Sequence, residues 1–471
     1  MNSKPLTYDS LKTVIQYLDP NTRFLISSRA PSIRVAEKAV PLIIDKLWIK
    51  VHQVSVNNIS YECELYQVDC KDNLPYRISG VSRLNRKLTC NVDEFGTRDY
   101  INAAGGMLPG NNGNMESNLF GFYDLEVIPT NEGRMQKLEE IFKIEKQRLD
   151  QLINYRPKEE PNTDEITSFH KFKCIRTDPP RIYNEEELEI LKNEEIVKMA
   201  IEYIKERIKE MENELILFQN KSKNIRPKFE IHLVKYQGNL SNVIERVKYT
   251  GNIHKAVENL LAFMFSKRRH VVRVNSFAMD RTCPVEIPDD LKMRIKSLNL
   301  YKNVSPILKI LKPIIHEPSS TLEKLTLFIH PDEAENLDYE YIANSKLLLC
   351  DMLFTSSSSS LSSIIRSLRN QKVDFSFCTT QFLRSEDFIL VIRNWLETNK
   401  PIGTCFTFPL YNSKDETVIR ILNKFKNRFV NATAGIECVN IPMGSSAKLK
   451  ISYFRNEPSI LCLKMAVVPL D

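Results

Sequence analysis

The stretch Lys324-Leu-Thr-Leu-Phe-Ile329 decides how the C-terminal half of the chain is read, because it recurs in altered form at a near-constant interval. Ser297-Leu-Asn-Leu-Tyr301 precedes it. Leu347-Leu-Leu-Cys350, Lys372-Val-Asp-Phe-Ser-Phe-Cys378 and Gly403-Thr-Cys-Phe-Thr-Phe408 follow. The starts lie 27, 23, 25 and 31 residues apart. Each run is strand-like. Most gaps carry helical spacing instead, as in Ser363–Leu368 and Phe388–Leu396.

Periods of roughly 20 to 30 residues with one strand and one helix each are the pattern of stacked repeats. The strict Leu-x-x-Leu-x-Leu consensus with its asparagine is not kept. Residues 226–471 therefore read as an irregular leucine-rich-repeat-like α/β array. The serine run Ser356–Ser360 reads as a loop preceding a helix.

Working towards the N-terminus, residues 131–225 change character. Met135, Leu138, Ile141, Phe142, Leu149 and Leu152 mark an amphipathic helix, and Pro157, Pro161, Pro179 and Pro180 fall in the linker after it. Val197, Ile201, Ile204, Ile208, Met211, Leu215 and Phe218 then recur at alternating steps of four and three. That spacing fits a helical hairpin, a short coiled-coil seam joining two chains, or a helix lying on a neighbouring domain. Residues 47–130 read as a small antiparallel β region. Trp48–Val56 alternates with period two, Asn57-Asn58 turns the chain into Ile59–Val68, and Leu84–Val92 and Leu125–Ile128 are further strands. The cluster Gly105–Gly113, with asparagines interleaved, reads as a turn-rich surface loop. Residues 1–46 form a short helical unit: Leu11–Leu18 capped by Asp9 or Ser10, Asn21–Ser28 after the Asp19-Pro20 stop, and a third helix restarted at Pro31-Ser32. The fold class expected is α+β and multidomain.

The wording of that first unit is specific. It runs Pro5-Leu6-Thr7-Tyr8-Asp9-Ser10-Leu11-Lys12, then Asn21-Thr22-Arg23-Phe24, then Arg29-Ala30-Pro31-Ser32-Ile33, then Glu37-Lys38-Ala39-Val40-Pro41-Leu42. This arrangement resembles an F-box. More narrowly it is similar to the nematode F-box C family, most strongly at the Arg-x-Pro-Ser and Glu-Lys-x-Val-Pro motifs. The resemblance implies that these helices dock onto the Skp-family adaptor of a cullin-RING ubiquitin ligase core. Pro5, Leu6, Leu11, Val14, Ile15, Leu18 and Phe24 would form the adaptor-binding face. It also implies that the C-terminal array recruits a protein substrate of unknown identity, with the chemistry left to partner enzymes. On spacing alone the same helices fit a plain three-helix unit whose apolar stripe is internal core.

Composition narrows the remaining classes. The chain has 471 residues, 42% apolar and 27% charged, which suits a globular protein able to bury a core without disulfides. No run approaches 18 uncharged apolar residues, and Met1–Ser10 lacks an apolar signal-peptide core, so an intracellular, non-membrane protein is expected. There are 13 glycines, none from Arg134 to Gln237 or from Asn252 to Ile402, which leaves no phosphate-cradling loop there. The 10 cysteines are scattered singly, without zinc-ribbon or thioredoxin spacing. The 7 histidines form no metal-binding pattern, and His330 beside Asp332 and Glu333 reads as a solvated strand end. No cofactor, metal or catalytic constellation is expected, and no enzyme.

The net charge of +7 is unevenly placed. Glu185–Glu214 holds 11 acidic and 5 basic residues, and Ser266–Ile314 holds 11 basic and 4 acidic. Only Phe277 and Tyr301 supply aromatics in the basic stretch, too few for a base-stacking platform. It reads as a solvated face paired locally with the acidic segment, and nucleic acid is not an expected partner. The alternative to the adaptor is a protein-binding module without ligase coupling.

Overall fold

The computed structural model describes residues 7–50, 52–70, 75–79, 91–97, 131–158, 165–175, 177, 179–279, 286–301, 304–316, 322–329, 336–352, 358–376, 378–411, 413–457 and 460–470. From the N-terminus run helices α1 (Tyr8–Tyr17), α2 (Pro20–Arg29) and α3 (Arg34–Lys38). Strands β1 (Ile43–Lys50), β2 (Gln53–Val56), β3 (Ile59–Gln67) and β4 (Tyr76–Ser79) follow. Helices α4 (Asn131–Asn154), α5 (Glu165–Lys173), α6 (Glu185–Leu188) and α7 (Glu194–Ser222) lead to strands β5 (Phe229–Gln237) and β6 (Leu240–Lys248). Beyond α8 (Ile253–Phe265) come β7 (Val272–Met279), β8 (Met293–Leu300), α9 (Val304–Leu311) and β9 (Leu322–Ile329). Then follow α10 (Tyr339–Ala343), β10 (Ser345–Met352), α11 (Ser358–Ser367), β11 (Lys372–Phe375), α12 (Thr380–Arg384) and α13 (Glu386–Glu397). The chain closes with β12 (Cys405–Tyr411), α14 (Asp415–Arg428), β13 (Thr433–Ala434), β14 (Cys438–Met443), β15 (Ala447–Glu457) and β16 (Ile460–Pro469).

The chain forms two compact units. The first takes in residues 1–60, 258–281 and 286–471. Its sheet runs β2-β1-β7-β8-β9-β10-β11-β12-β16-β15-β14-β13. From β1 to β12 neighbouring strands are parallel. Each chain segment from β7 to β12 thus returns beside the strand it left, the arrangement that short crossover connections favour. The last strands, β12 to β16 and back to β13, pair antiparallel.

Burial within the parallel strands repeats with a fixed spacing: Val274, Phe277 and Met279; Ile295, Leu298 and Leu300; Leu322, Leu325 and Leu327; Ser345, Leu348 and Cys350. The three-then-two step is kept in burial although the leucines are not kept in identity. Where the step falls on Ser345, its buried hydroxyl accepts from Asn370 Nδ2 at 2.9 Å, and the same amide donates to the Ile342 carbonyl at 2.7 Å. On the helix side, Trp395 sits edge-on to Phe406 at 4.8 Å, and Phe388 lies between Phe408 and Phe425.

The hairpin expected from one strand Trp48–Val56 is built differently. His52 adopts a positive φ of 58°, so the run folds back on itself as β1 and β2, with Leu47 opposite Val56. Histidine is one of the residue types that tolerates this left-handed conformation. The turn expected at Asn57-Asn58 is present, with Asn57 at φ 57° and its side chain accepting from the Asp45 and Lys46 amides. Helix α1 is capped by Thr7, whose hydroxyl accepts from the Ser10 amide, rather than by Asp9 or Ser10.

The second unit takes in residues 61–257 and 282–285. It holds the β3–β4 and β5–β6 antiparallel pairs and a helical layer. Helix α7 buries Val197, Ile204 and Ile208 against Leu152, Phe172 and Tyr183, and further along buries Met211, Leu215 and Phe218 against Leu138. The heptad seam is therefore filled from within the chain, by α4 and α5. Gly96, at φ 89°, has no room for a side chain, since a Cβ would stand 2.9 Å from the Phe229 ring.

The glycine cluster, Leu125–Ile128, most of Leu84–Val92 and the His330 group lie outside the described residues. Of the serine run, Ser358–Ser360 already belong to α11.

Candidate functional site

The N-terminal helices carry the residues singled out from the sequence, and the structure divides them. Ile15 is 3% exposed and packs with Ala36 and Val40, with Leu11 and Ile33 alongside. Phe24 is buried and stands edge-on to Phe265 at 6.2 Å. Leu18 and Leu11 are half-buried. Val14 is 46% exposed. Pro5 and Leu6 lie outside the described residues. Apolar side chains that spacing alone did not select are also exposed: Tyr17 is 85% and Val35 65% exposed. Val14 and Tyr17 are three apart on α1 and so face the same way.

An ionic cluster also ties α2 and α3 to the segment after α8. The Glu37 carboxylate is buried between two buried guanidinium groups. Arg23 Nε donates to Glu37 Oε1 at 3.1 Å, and its remaining donors reach the Pro41, Glu37 and Val40 carbonyls. Arg268 Nη2 donates to both Glu37 oxygens, at 3.0 and 3.1 Å, and to the Met264 carbonyl. Next to this triad, Lys38 Nζ donates to the Phe263 carbonyl.

Burial, with the Arg268 charge beside it, pushes the Lys38 amine from its ordinary 10.5 down to about 7, against the opposing pull of Glu37 and Asp290. Between those two values the unfolded chain holds a proton that the folded chain has released, so stability rises with pH across that window. The expected result is a urea midpoint that climbs from about pH 7 to about pH 9, and a flatter climb in Lys38→Met. Equal slopes in the two proteins would remove Lys38 as the source.

A second surface is made by the sheet of the first unit. In register across the strands lie Trp48, Ala278, Asn299 and Thr326, then Leu349, Asp374, Thr407 and Lys464. Only Ala278 among them is buried, whereas their strand neighbours Phe277, Leu298, Leu325, Leu348, Val373 and Phe406 form the core. The row one step along places Lys46, Ser276, Ser297 and Lys324 in register, and further on Lys372, Cys405, Ala466 and Lys450. No carboxylate interrupts that second row.

At the β1 end of this face three rings pack on one another. Trp48 and Tyr301 have centroids 5.8 Å apart, Tyr301 and Phe328 4.9 Å, and Lys50 Nζ lies 3.6 Å from the Trp48 centroid.

The basic stretch Ser266–Ile314 does not act as one stripe. Arg268 turns inward to Glu37, the Lys267 amide and Ser266 hydroxyl donate to Asp290, and Lys312 pairs with Asp338. Within the acidic segment, Glu187 pairs with Arg181, Glu195 with Lys198 and Glu202 with Lys205. The acidic segment's partners are close in sequence, and none of the pairs named here joins the two segments. Among the described residues no group of three histidine, cysteine, aspartate or glutamate side chains is placed to hold a metal, and no helix is long and apolar enough to cross a membrane.

Residues 252–412 match a protein family described as a domain of unknown function, DUF3557. The match begins just before α8 and ends just after β12, and so takes in the parallel run β7 to β12. No curated protein and no solved structure matches the chain.

Proposed function

We propose that this chain is a non-enzymatic, F-box-type substrate-recognition adaptor of a cullin-RING ubiquitin ligase. Helices α1 to α3 dock onto a Skp-family adaptor, and the parallel array, read as an irregular leucine-rich-repeat-like domain, presents the substrate on its open sheet face. The observation that carries this reading is the exposure of the apolar side chains Val14 and Tyr17 on one face of α1, in a helical unit whose α2 and α3 are tied by the Arg23–Glu37–Arg268 triad. An apolar patch on a small, fixed helical unit is the kind of surface a partner covers. The loss of Ile15 and Phe24 to the interior favours a second reading, a protein-binding module with no ligase coupling.

Capture of a purified Skp-type adaptor separates the two. Val14→Asp with Tyr17→Ala is expected to lower capture by roughly 100-fold, about 2.7 kcal/mol, with the melting temperature unchanged. Ile15→Ala is expected to lower the melting temperature instead, since it opens a cavity in the helical unit. A wild-type protein that captures no adaptor, or a surface double variant that captures it at wild-type affinity, overturns the adaptor reading.

A further inference from the structure

The open sheet face of the first unit carries a set of lysines. Lys46, Lys324, Lys372, Lys450 and Lys464 make no ion pair among the described residues, whereas Lys38, Lys312 and Lys424 are engaged by a carbonyl or a carboxylate. Sheet register gathers them. Lys324 and Lys46 belong to one row, Lys372 and Lys450 continue it, and Lys464 lies one row on. Like charges held on one face repel one another, and a surface built this way is complementary to an anion that spans it.

The spacing sets the shape of that anion. Lys324 on β9 and Lys372 on β11 are two strands apart, and Lys464 on β16 is two strands beyond Lys372. Neighbouring strands lie about 4.8 Å apart, so the charges recur roughly every 10 Å. An extended polypeptide in the polyproline-II conformation has three residues per turn and rises about 3.1 Å per residue, which brings every third side chain to the same side at about 9 Å, over successive lysines. The hydroxyls of Thr326 and Thr407 between them offer hydrogen bonds to a backbone laid across the strands, and Asp374 is the one carboxylate in the two rows.

A single-stranded nucleic acid is also anionic, but it binds by stacking bases on free aromatic faces. Here the rings of Trp48, Tyr301 and Phe328 are packed on one another, and Lys50 covers Trp48. From β10 to β16 the two rows carry no aromatic residue.

We infer that the open face of the parallel sheet binds an acidic, extended polypeptide segment bearing a carboxylate at about every third residue, which crosses β9 to β16 over Lys324, Lys372 and Lys464. This inference rests on the reading of that face as the substrate surface and names the chemistry of what it takes.

The test uses the full chain and a fluorescent peptide of about 15 residues in which glutamate occupies every third position between glycine and serine. Its glutamine counterpart and an oligouridine of similar charge are the comparisons. The glutamate peptide is expected to bind, and to weaken roughly tenfold between about 0.05 and about 0.3 M salt. Lys324→Glu with Lys372→Glu is expected to weaken binding at least about tenfold at unchanged melting temperature. If that variant melts early, Lys372→Gln with Lys464→Gln supplies the same reading with no new charge. Equal binding of the glutamine peptide, tighter binding of the oligouridine, no binding of the glutamate peptide, or full binding by the folded variants overturns the inference. Adaptor capture measured on the same preparations distinguishes the two failures: peptide binding without capture removes the ligase coupling alone, and capture without peptide binding removes the acidic-segment inference alone.

Discussion

Glu37→Gln is expected to lower the unfolding free energy by about 3–5 kcal/mol, the usual range when one member of a buried ionic cluster is removed. Arg23 and Arg268 remain behind, both buried, with no carboxylate between them. Burial already pushes both guanidinium groups below their ordinary pKa, and Glu37 is the group that opposes this at each. The glutamine keeps the shape and one acceptor but not the charge, so the loss reports electrostatics rather than packing. Adding Arg268→Met to Glu37→Gln is expected to return part of the loss, because one of the two stranded cations is then gone. Asp9→Asn, which breaks only the exposed Asp9–Lys12 pair, is expected to leave the urea midpoint where it was. Urea unfolding of the four proteins measures all of this. A change below about 1 kcal/mol in Glu37→Gln would mean that apolar contacts, chiefly Ile15 and Phe24, hold the helices without the triad.

Ile204→Asp is the second large effect. Ile204 is 1% exposed in the core shared by α4, α5 and α7, among Leu152, Phe172, Ala200 and Ile208. The substitution removes an apolar side chain and buries a carboxylate in an apolar cluster, at a cost of about 3–5 kcal/mol. Because α7 finds its partners within its own chain, the variant is expected to lose structure without any change of oligomeric mass. Thermal melting with light scattering reads both quantities. A stable variant of halved mass would instead mean that the seam joins two chains, and an unchanged melt would remove Ile204 from the core.

The strands of the parallel array begin within a few residues of the runs that announce them, because apolar residues recur there at a regular spacing. The heptad residues of α7 were legible for the same reason, although nothing local says which chain supplies the other side of the seam. Other features depend on distance. His52 looks like one more position in an alternating strand until its backbone turns. Arg268 sits in Lys267-Arg268-Arg269, which reads as solvated charge, and only the fold brings it to Glu37. The division of Leu11, Val14, Ile15 and Leu18 is equally invisible, because it is set by where α3 packs on α1. The lysine rows are the clearest case. Lys46, Lys324, Lys372 and Lys464 are ordinary surface residues in sequence, and register alone assembles them.

The sequence distance between Glu37 and Arg268 is 231 residues. On a ribosome adding about 5–20 residues per second, the N-terminal helices leave the exit tunnel and then wait roughly ten to fifty seconds before the residue that locks them is synthesised. Through that interval Glu37 has only Arg23 as a counter-ion, and Phe24 has no Phe265 to close against. The nascent chain thus displays its N-terminal helices loosely and early, before the parallel array has been made.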